Sequence, residues 1–211
     1  MKQEKKHLEN IYRTKQPEEL SWTQETPAVS LDFIRSLQLP ETARIIDIGG
    51  GDSTFADFLL DADYKDVTVL DISGAALERA RRRLGSRAGK IKWVEQDVTS
   101  FDPLTRFDLW HDRAAFHFLT KPAQINKYLA VAGKSINEGG YAVIGTFSPN
   151  GPEKCSGLPI RRYDEQALAA TFSTEFKKIS CIAADHITPF QTKQHFLFCS
   201  FRKLGRPVAD Q

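Results

Sequence analysis

Two short apolar segments of the chain end in residues that can bind a nucleotide. The first covers 44–48, contains Asp47 and runs into three glycines at 49–51. The second covers 67–71 and ends in a carboxylate, Asp71. In an α/β crossover, glycines after the first strand let the backbone approach the ligand, and an acid at the end of the second strand holds a ribose diol. This order of residues therefore predicts a nucleotide-binding βαβ unit.

The acid that precedes the glycine turn argues against a dinucleotide as the ligand. A pyrophosphate binds to free backbone N–H groups, and a carboxylate such as Asp47 would repel it. The third glycine of the dinucleotide pattern G-x-G-x-x-G would fall at Thr54, so that pattern is incomplete. A ligand with an ammonium and a sulfonium group, such as S-adenosylmethionine, is compatible with an acid at this position.

The composition indicates one globular domain over residues 1–211. Apolar residues make up 41% and charged residues 27% of the chain, which is typical of globular proteins. The net charge of +2 does not favour a nucleic-acid or membrane partner. The first residues are charged and lack the apolar core of a signal peptide. Three widely spaced cysteines without a C-x-x-C pair predict neither a disulfide nor a metal site, so a cytoplasmic location is expected.

The periodicity of apolar residues predicts strands that alternate with helices. Strands are expected at 44–48, 67–71, 92–95, 107–110 and 141–147, with two final β segments near 175–184 and 194–202. Helices are expected to begin near Thr26 and to cover about 54–61, 75–84, 122–136 and 164–172. The predicted fold class is therefore α/β, with a doubly wound, mostly parallel seven-stranded sheet whose final strand is reversed. Residues 1–25 are interpreted as a partly ordered N-terminal arm.

These motifs together resemble those of the class I S-adenosylmethionine-dependent methyltransferases, over residues 40–147 in particular. The stretch from Asp47 to Gly51 matches the D-x-G-x-G motif of that family, although Ser53 stands where many members have a third glycine. The resemblance implies S-adenosylmethionine as the cofactor. It also implies contacts to the methionine part from Asp47, Gly49 and Gly51, to the ribose from Asp71, and to the adenine from Ile72, Asp97 and Val98.

The end of the fourth strand, at 109–118, is rich in side chains that could act near a transferable methyl group. His111 is expected to line the cofactor pocket, and His111, Asp112 and His117 are the candidate catalytic bases. Asp112 could equally form an ion pair with Arg113, and His117 could pack against the following helix. The segment lacks the N/D-P-P-F/Y signature of enzymes that methylate adenine or glutamine nitrogen atoms, which argues against a nucleic-acid base as acceptor.

Two further segments are candidates for contact with the acceptor. Tyr12 and Trp22 in the arm could form a lid that excludes water, or Trp22 could simply cover the first helix. The loop at 148–163 is too long for a plain connector. In it, Arg161 and Arg162 could clamp an anionic acceptor, or they could pair with acids on the next helix.

The sequence as a whole therefore predicts a methyltransferase that acts on a small molecule. A basic cluster at 79–92 is interpreted as a solvated helix face rather than a nucleic-acid site. A lysine side chain of a protein is the alternative acceptor, although the D-K-G-type segment of such relatives is replaced by Asp112, Arg113 and Ala114. A third possibility is a regulator that binds S-adenosylmethionine without turning it over.

Overall fold

The computed structural model describes residues 2–205, which form nine strands and six α-helices. The strands are β1 (Arg44–Ile48), β2 (Asp66–Asp71), β3 (Ile91–Glu95), β4 (Phe107–Arg113), β5 (Ile136–Phe147), β6 (Lys154–Cys155), β7 (Leu158–Pro159), β8 (Phe176–Ile187) and β9 (Lys193–Lys203). The helices are α1 (Lys2–Thr14), α2 (Ala28–Leu37), α3 (Phe55–Asp61), α4 (Gly74–Leu84), α5 (Pro122–Ser135) and α6 (Glu165–Phe172).

Seven of the strands form one sheet in the order β3-β2-β1-β4-β5-β9-β8. The pairs from β3 to β5 are parallel, and β9 runs antiparallel to both of its neighbours. The predicted doubly wound, seven-stranded sheet with a reversed final strand is therefore confirmed. β9 is inserted between β5 and β8, so β8 forms the edge of the sheet.

Both faces of the sheet are covered, which explains the nearly continuous apolar sequences of its central strands. On one face of the sheet, Trp110 and Ile144 belong to the same apolar cluster as Tyr128 of α5. On the other face, Ile45 and Val143 belong to the same apolar cluster as Phe55 of α3. This burial holds the central strands rigidly, so the residues at their carboxyl ends are fixed in place.

The connections reverse direction between β1 and β4, and this reversal positions the site. From β1 the chain continues outward to β2 and β3, whereas β4 lies on the opposite side of β1 and continues to β5. Open α/β sheets bind ligands in the crevice at such a switch point. Here Asp47 of β1 lies directly opposite His111 of β4 in the strand register.

Residues 1–25, predicted as a partly ordered N-terminal arm, contain more regular structure than expected. Helix α1 occupies Lys2–Thr14, and a 3-10 turn follows at Pro17–Glu19. The helical signal is the spacing of Leu8, Ile11 and Tyr12, which places three apolar side chains on one face. This face is short and nearly half of the residues of the helix are charged, so the composition of the segment does not indicate a helix.

The prediction of no disulfide is also wrong. Cys181 of β8 and Cys199 of β9 are bonded to each other, with their Cα atoms 4.1 Å apart. They are direct partners in the antiparallel register, a relation that their sequence spacing does not reveal. Cys155 has a free, buried thiol.

Two smaller differences concern segments expected to be turns. Residues 137–140, predicted to close the helix before β5, belong to β5 itself. The loop after β5 contains the β6–β7 hairpin.

Within residues 2–205, none of the helices is both long enough and apolar enough to cross a bilayer.

Candidate functional site

A cavity of about 380 Å³ lies at the carboxyl ends of β1 to β4. Its volume falls within the range of small-molecule sites. The strand ends form its floor, and α1, residues 17–25 and the β6–β7 hairpin form a roof over it. All but one of the predicted cofactor residues line the cavity: Asp47, Gly49, Asp71, Ile72, Asp97, Val98 and His111. Gly51 is absent from the lining.

The glycine turn after β1 has no room for side chains. Gly49 has a φ of +64°, and a Cβ atom built there would lie 2.5 Å from the Cβ atom of Ala115. A Cβ atom at Gly50 would lie 2.5 Å from Oδ2 of Asp47. Gly51 also has a positive φ, of +48°, and it faces Oδ2 of Asp71. The turn therefore brings bare backbone to the cavity, as a nucleotide-binding loop requires.

Asp47 and His111 form a buried hydrogen-bonded chain with Ser30 of α2. Nδ1 of His111 lies 2.7 Å from Oδ1 of Asp47, and Nε2 lies 2.8 Å from the Ser30 hydroxyl. Because the carboxylate can only accept, Nδ1 donates to Asp47, while Nε2 makes the hydrogen bond with the Ser30 hydroxyl. The ring also stacks on Phe55, with centroids 4.0 Å apart. Both nitrogen atoms of His111 are thus occupied.

Asp71 is a buried carboxyl group at the end of β2. Its Oδ1 accepts a hydrogen bond of 2.7 Å from the backbone N–H of Ser73. The pKa of Asp71 is raised to about 7, chiefly by burial and also by the charges of Asp52 and Asp47. The hydrogen bond from Ser73 acts in the opposite direction. A hydroxyl-bearing cationic ligand would favour the ionised form, since it would supply both donors and positive charge.

The end of β3 provides a second acid, which is fixed in direction by its own turn. Asp97 accepts hydrogen bonds from the backbone N–H and the hydroxyl of Thr99, at 2.9 and 2.8 Å. Val98 begins the 3-10 turn that follows and lines the cavity together with Gln96. The acid and the adjacent backbone therefore face the same end of the cavity as Asp71.

Asp112 supports the turn after β4 from within the core. Its Oδ1 accepts from the backbone N–H groups of Ala115 and Phe116, each at 3.0 Å. Its Oδ2 accepts from the Tyr128 hydroxyl at 2.6 Å. Burial raises its pKa to about 6, and these hydrogen bonds oppose the increase. Asp112 is outside the cavity lining, and none of the hydrogen bonds described here joins it to Arg113.

His117 is fully buried and is also outside the lining. Its ring lies between those of Phe118 and Phe147, with centroid distances of 4.7 and 4.8 Å. Burial lowers its pKa to about 3, and the neighbouring guanidinium of Arg113 adds to this effect. Neither ring nitrogen has a hydrogen-bond partner among the described residues. His117 is therefore a neutral ring in an aromatic environment.

Arg113 is the cation that lines the cavity at the end of β4. Its Nη1 donates to the backbone carbonyl of Trp22 at 3.0 Å, and its guanidinium lies 5.2 Å from the ring centroid of Phe196. Burial lowers its pKa to about 10, so it remains charged at neutral pH. The sequence suggests Arg113 only as a possible ion-pair partner of Asp112. Its contact with Trp22 depends on the tertiary fold and could not be predicted from the sequence.

Helix α1 docks on the cofactor side of the cavity through Glu9. One oxygen of Glu9 accepts from the Ser73 hydroxyl at 2.7 Å and from the backbone N–H of Ala75 at 3.2 Å. These donors lie at the start of α4, where a carboxylate is favourable. Tyr12 contacts the ring of Trp22 edge-on, with centroids 6.0 Å apart, and both residues line the cavity.

The β6–β7 hairpin closes the roof on the other side. Its two turn residues, Ser156 and Gly157, have φ values of 54° and 76°, the left-handed conformation of a two-residue hairpin turn. The carbonyl of Ser156 accepts from the ring of His7 at 2.7 Å, so the hairpin tip touches α1. The sequence predicts only a long loop at 148–163, and the tight turn at Ser156 is a feature of the folded structure.

Arg161 and Arg162 lie outside the cavity lining. The guanidinium of Arg161 lies 4.9 Å from the ring centroid of Tyr163. Arg162 donates to the carbonyls of Pro149 and Gly151 and pairs with Glu153 at 3.1 Å. Arg162 thus holds the loop that contains it, instead of pairing with acids on α6.

The basic cluster on α4 and β3 lies mostly in ion pairs. The pairs are Arg79–Asp52, Arg82–Glu78, Arg83–Asp57, Arg87–Asp61 and Lys92–Asp66. Since acids on the same surface offset much of the positive charge, the cluster lacks the uncompensated field that nucleic-acid binding requires.

Comparison with known proteins is consistent with this geometry. Residues 45–140 match a sequence model described as a methyltransferase domain. The chain is 32% identical over 114 residues to the malonyl-[acyl-carrier protein] O-methyltransferase of Anoxybacillus flavithermus, a match that covers 54% of this chain and 41% of that protein. It is 25% identical over 104 residues to the eEF1A lysine and N-terminal methyltransferase of Mus musculus, covering 46% of this chain and 15% of that protein. The chain thus spans less than half the length of either relative.

Solved structures share the fold over nearly the whole chain. One, solved in work on the conversion of a disulfide bond into a thioacetal group during echinomycin biosynthesis, has a TM-score of 0.76 at 19% identity and covers 95% of this chain and 93% of its own. The 1,6-didemethyltoxoflavin-N1-methyltransferase of Burkholderia thailandensis, solved with 1,6-didemethyltoxoflavin and S-adenosylhomocysteine, has a TM-score of 0.68 at 19% identity and covers 93% of this chain and 82% of its own.

The domain match, the sheet order and the cavity at the switch point agree with one another. Residues 45–140 carry a methyltransferase domain, the chain has the fold of S-adenosylmethionine-dependent methyltransferases of known structure, and S-adenosylmethionine is the cofactor that this domain indicates. The predictions of the family, the cofactor and a methyltransferase are therefore confirmed, whereas the acceptor is not specified by the comparisons.

Proposed function

We propose that this protein transfers a methyl group from S-adenosylmethionine to a small molecule, which binds on the β4 side of the cavity. The main support for this proposal is the roof that covers the cavity. Helix α1 and the β6–β7 hairpin meet over the cavity at the contact between His7 and Ser156. A covered cavity of about 380 Å³ suits a ligand that can be enclosed more than one attached to a protein surface.

The residues at the ends of β1 to β3 fit the cofactor. The bare glycine turn and Asp47 would hold its methionine part, Asp71 would accept from the ribose hydroxyls, and Ile72, Asp97 and Val98 would contact the adenine. Gly51 contributes by keeping the space in front of Asp71 free of a side chain, since a Cβ atom there would lie 3.1 Å from Oδ2. When bound, S-adenosylmethionine supplies a methyl group on a sulfonium, which is already electrophilic.

The described residues position and shelter the acceptor more than they activate it. Both ring nitrogens of His111 are occupied, and those of His117 lie in a buried aromatic environment. Asp112 is engaged by three donors in the core. The thiol of Cys155, on the cavity wall, has its pKa raised by burial to about 12. Positioning can itself lower a barrier by roughly 7–11 kcal/mol, and we assign structural roles to Asp112 and His117.

A protein lysine side chain is the alternative acceptor, because one curated relative is a lysine and N-terminal methyltransferase. A lysine side chain attached to a folded protein would have to pass the roof formed by α1 and the hairpin. A regulator that binds the cofactor without turnover is the third possibility, and the methyltransferase domain matched over residues 45–140 argues against it.

Isotope transfer is expected to distinguish these functions. The purified protein is incubated with methyl-labelled S-adenosylmethionine and a cell extract, which is then fractionated by mass. We expect label in the fraction of small metabolites, at a level that depends on the protein. Label confined to the protein fraction would favour the alternative acceptor, and no transfer to any fraction would contradict methyltransferase activity.

A further inference from the structure

Three residues on the cavity wall have buried hydrogen-bond donors without acceptors. The atoms are Nε1 of Trp22, Nη2 of Arg113 and the hydroxyl of Ser156, and none makes a hydrogen bond of normal geometry to residues 2–205, although the indole of Trp22 lies close enough to the Tyr12 hydroxyl to lower its pKa. Buried polar groups are normally satisfied, because an unmade hydrogen bond costs about 1–3 kcal/mol. Three such donors around one cavity therefore indicate a ligand that supplies acceptors.

Arg113 is the positively charged member of this group of donors. Its Nη1 is satisfied by the Trp22 carbonyl, but the described residues include no carboxylate within ion-pair distance of its guanidinium. The nearest acid that acts on it is Asp47, whose carboxylate is already engaged by His111. Burying a charge without a close partner is unfavourable. An anion in the cavity would offset this positive charge.

The three donors come from the roof and from the β4 side, apart from the strand ends that fit the cofactor. Trp22 follows the 3-10 turn after α1, and Ser156 is at the hairpin tip. Trp22 and Arg113 are in direct contact, and Arg113 acts electrostatically on the thiol of Cys155, the residue before Ser156. By contrast, Asp71 and Asp97 lie at the ends of β2 and β3. The donors thus surround the part of the cavity left for the acceptor.

We propose that the acceptor carries a carboxylate group, which binds to Arg113 with further hydrogen bonds from Trp22 and Ser156. This proposal rests on the proposed function and specifies the class of its substrate. A carboxylate has about four lone-pair sites for these donors. Its single negative charge matches the guanidinium of Arg113, whereas a phosphate dianion would keep an unbalanced charge on this side of the cavity.

The test measures the binding of paired probes to the protein saturated with S-adenosylhomocysteine. The probes are acetate, butyrate and benzoate, each compared by calorimetry with its neutral amide, and inorganic phosphate is included. We expect at least one carboxylate to bind tenfold or more tightly than its amide and than phosphate. Arg113→Gln is expected to abolish this preference, and Arg113→Lys, which keeps the charge, is expected to retain part of it.

Two controls separate this site from the cofactor site and from general charge effects. Arg35→Gln removes an exposed arginine on α2 that pairs with Asp32, and it is expected to leave probe binding unchanged. The second control compares S-adenosylhomocysteine with 5′-methylthioadenosine, which lacks the amino-acid part. We expect Arg113→Gln to change the affinity for either compound by less than threefold.

Several results would overturn the proposal. The first is that no carboxylate is preferred over its amide, and the second is that the preference survives in Arg113→Gln. A third is that Arg113→Gln weakens S-adenosylhomocysteine but not 5′-methylthioadenosine, because Arg113 would then bind the cofactor's own carboxylate. Failure of the native protein to bind S-adenosylhomocysteine would instead reject the proposed function, and the present proposal with it.

Discussion

Replacing Asp71 with asparagine is expected to weaken the binding of S-adenosylhomocysteine about 10- to 150-fold. The change removes the ionised acceptor that we assign to the ribose hydroxyls, and hydrogen bonds to a charged group contribute about 1.5–3 kcal/mol. Calorimetry at pH 8, where the Asp71 carboxyl is mostly ionised, measures the loss.

The same variant is expected to remove a pH dependence of binding. Because burial raises the pKa of Asp71 to about 7, the free protein carries mainly the neutral acid at pH 6. A ligand that prefers the carboxylate must then displace a proton, so its affinity should be about tenfold lower at pH 6 than at pH 8. 5′-Methylthioadenosine is the suitable probe, since it has no amino group that titrates in this range. The affinity of Asp71→Asn should hardly change over the same interval.

Stability distinguishes a binding defect from a folding defect at Asp71. A carboxyl group whose pKa is raised in the folded state stabilises the protein at low pH, and this contribution is lost as the pH rises through about 7. Asp71→Asn should therefore unfold at the same or a higher temperature at pH 8. Asp66→Asn, at the opposite end of β2, is the matched control and should leave binding unchanged. Normal cofactor affinity in Asp71→Asn would contradict the assignment.

Removal of residues 1–15 is expected to reduce methyl transfer about a hundredfold while lowering the unfolding temperature by only a few degrees. Helix α1 contributes one buried apolar residue, Ile11, to the core, yet Tyr12 and Leu8 line the cavity. Loss of the roof would admit water and loosen the placement of the acceptor, and small misplacements cost about 10²-fold. Turnover and thermal unfolding are measured on the same preparation.

A point variant tests the same role without shortening the chain. Glu9→Gln removes the charge that anchors α1 to Ser73 and Ala75, and it should also lower turnover, though less than the deletion does. Glu18→Gln, at an exposed position in the following 3-10 turn, should have no effect. Unchanged turnover in both the truncated protein and Glu9→Gln would show that α1 is not a lid.

The sheet and the cofactor end of the cavity could be predicted from the sequence because their signals are local. The glycine turn after Asp47 and the acid at Asp71 follow apolar strands directly, and parallel strand ends converge at one edge of a sheet. The periodicity of each strand is likewise contained within a few residues. Such features can be recognised without knowledge of the tertiary fold.

The acceptor side could not be predicted in the same way, because its residues meet only after folding. Arg113 and Trp22 are 91 positions apart but are joined by a hydrogen bond. Cys181 and Cys199 become partners through the register of β8 and β9. The long loop at 148–163 predicts that Arg161 and Arg162 contact the acceptor, yet both residues lie outside the cavity lining.

The most direct test of the account is a crystal structure of the protein with S-adenosylhomocysteine. In that structure we expect the ribose hydroxyls to donate to Asp71 and the adenine to lie beside Ile72, with its amino group donating to Asp97. The sulfur should then face the part of the cavity lined by Arg113 and Trp22. Adenosine bound beside Arg113, with Asp71 making no contact to the ribose, would contradict the assignment of the two ends of the cavity.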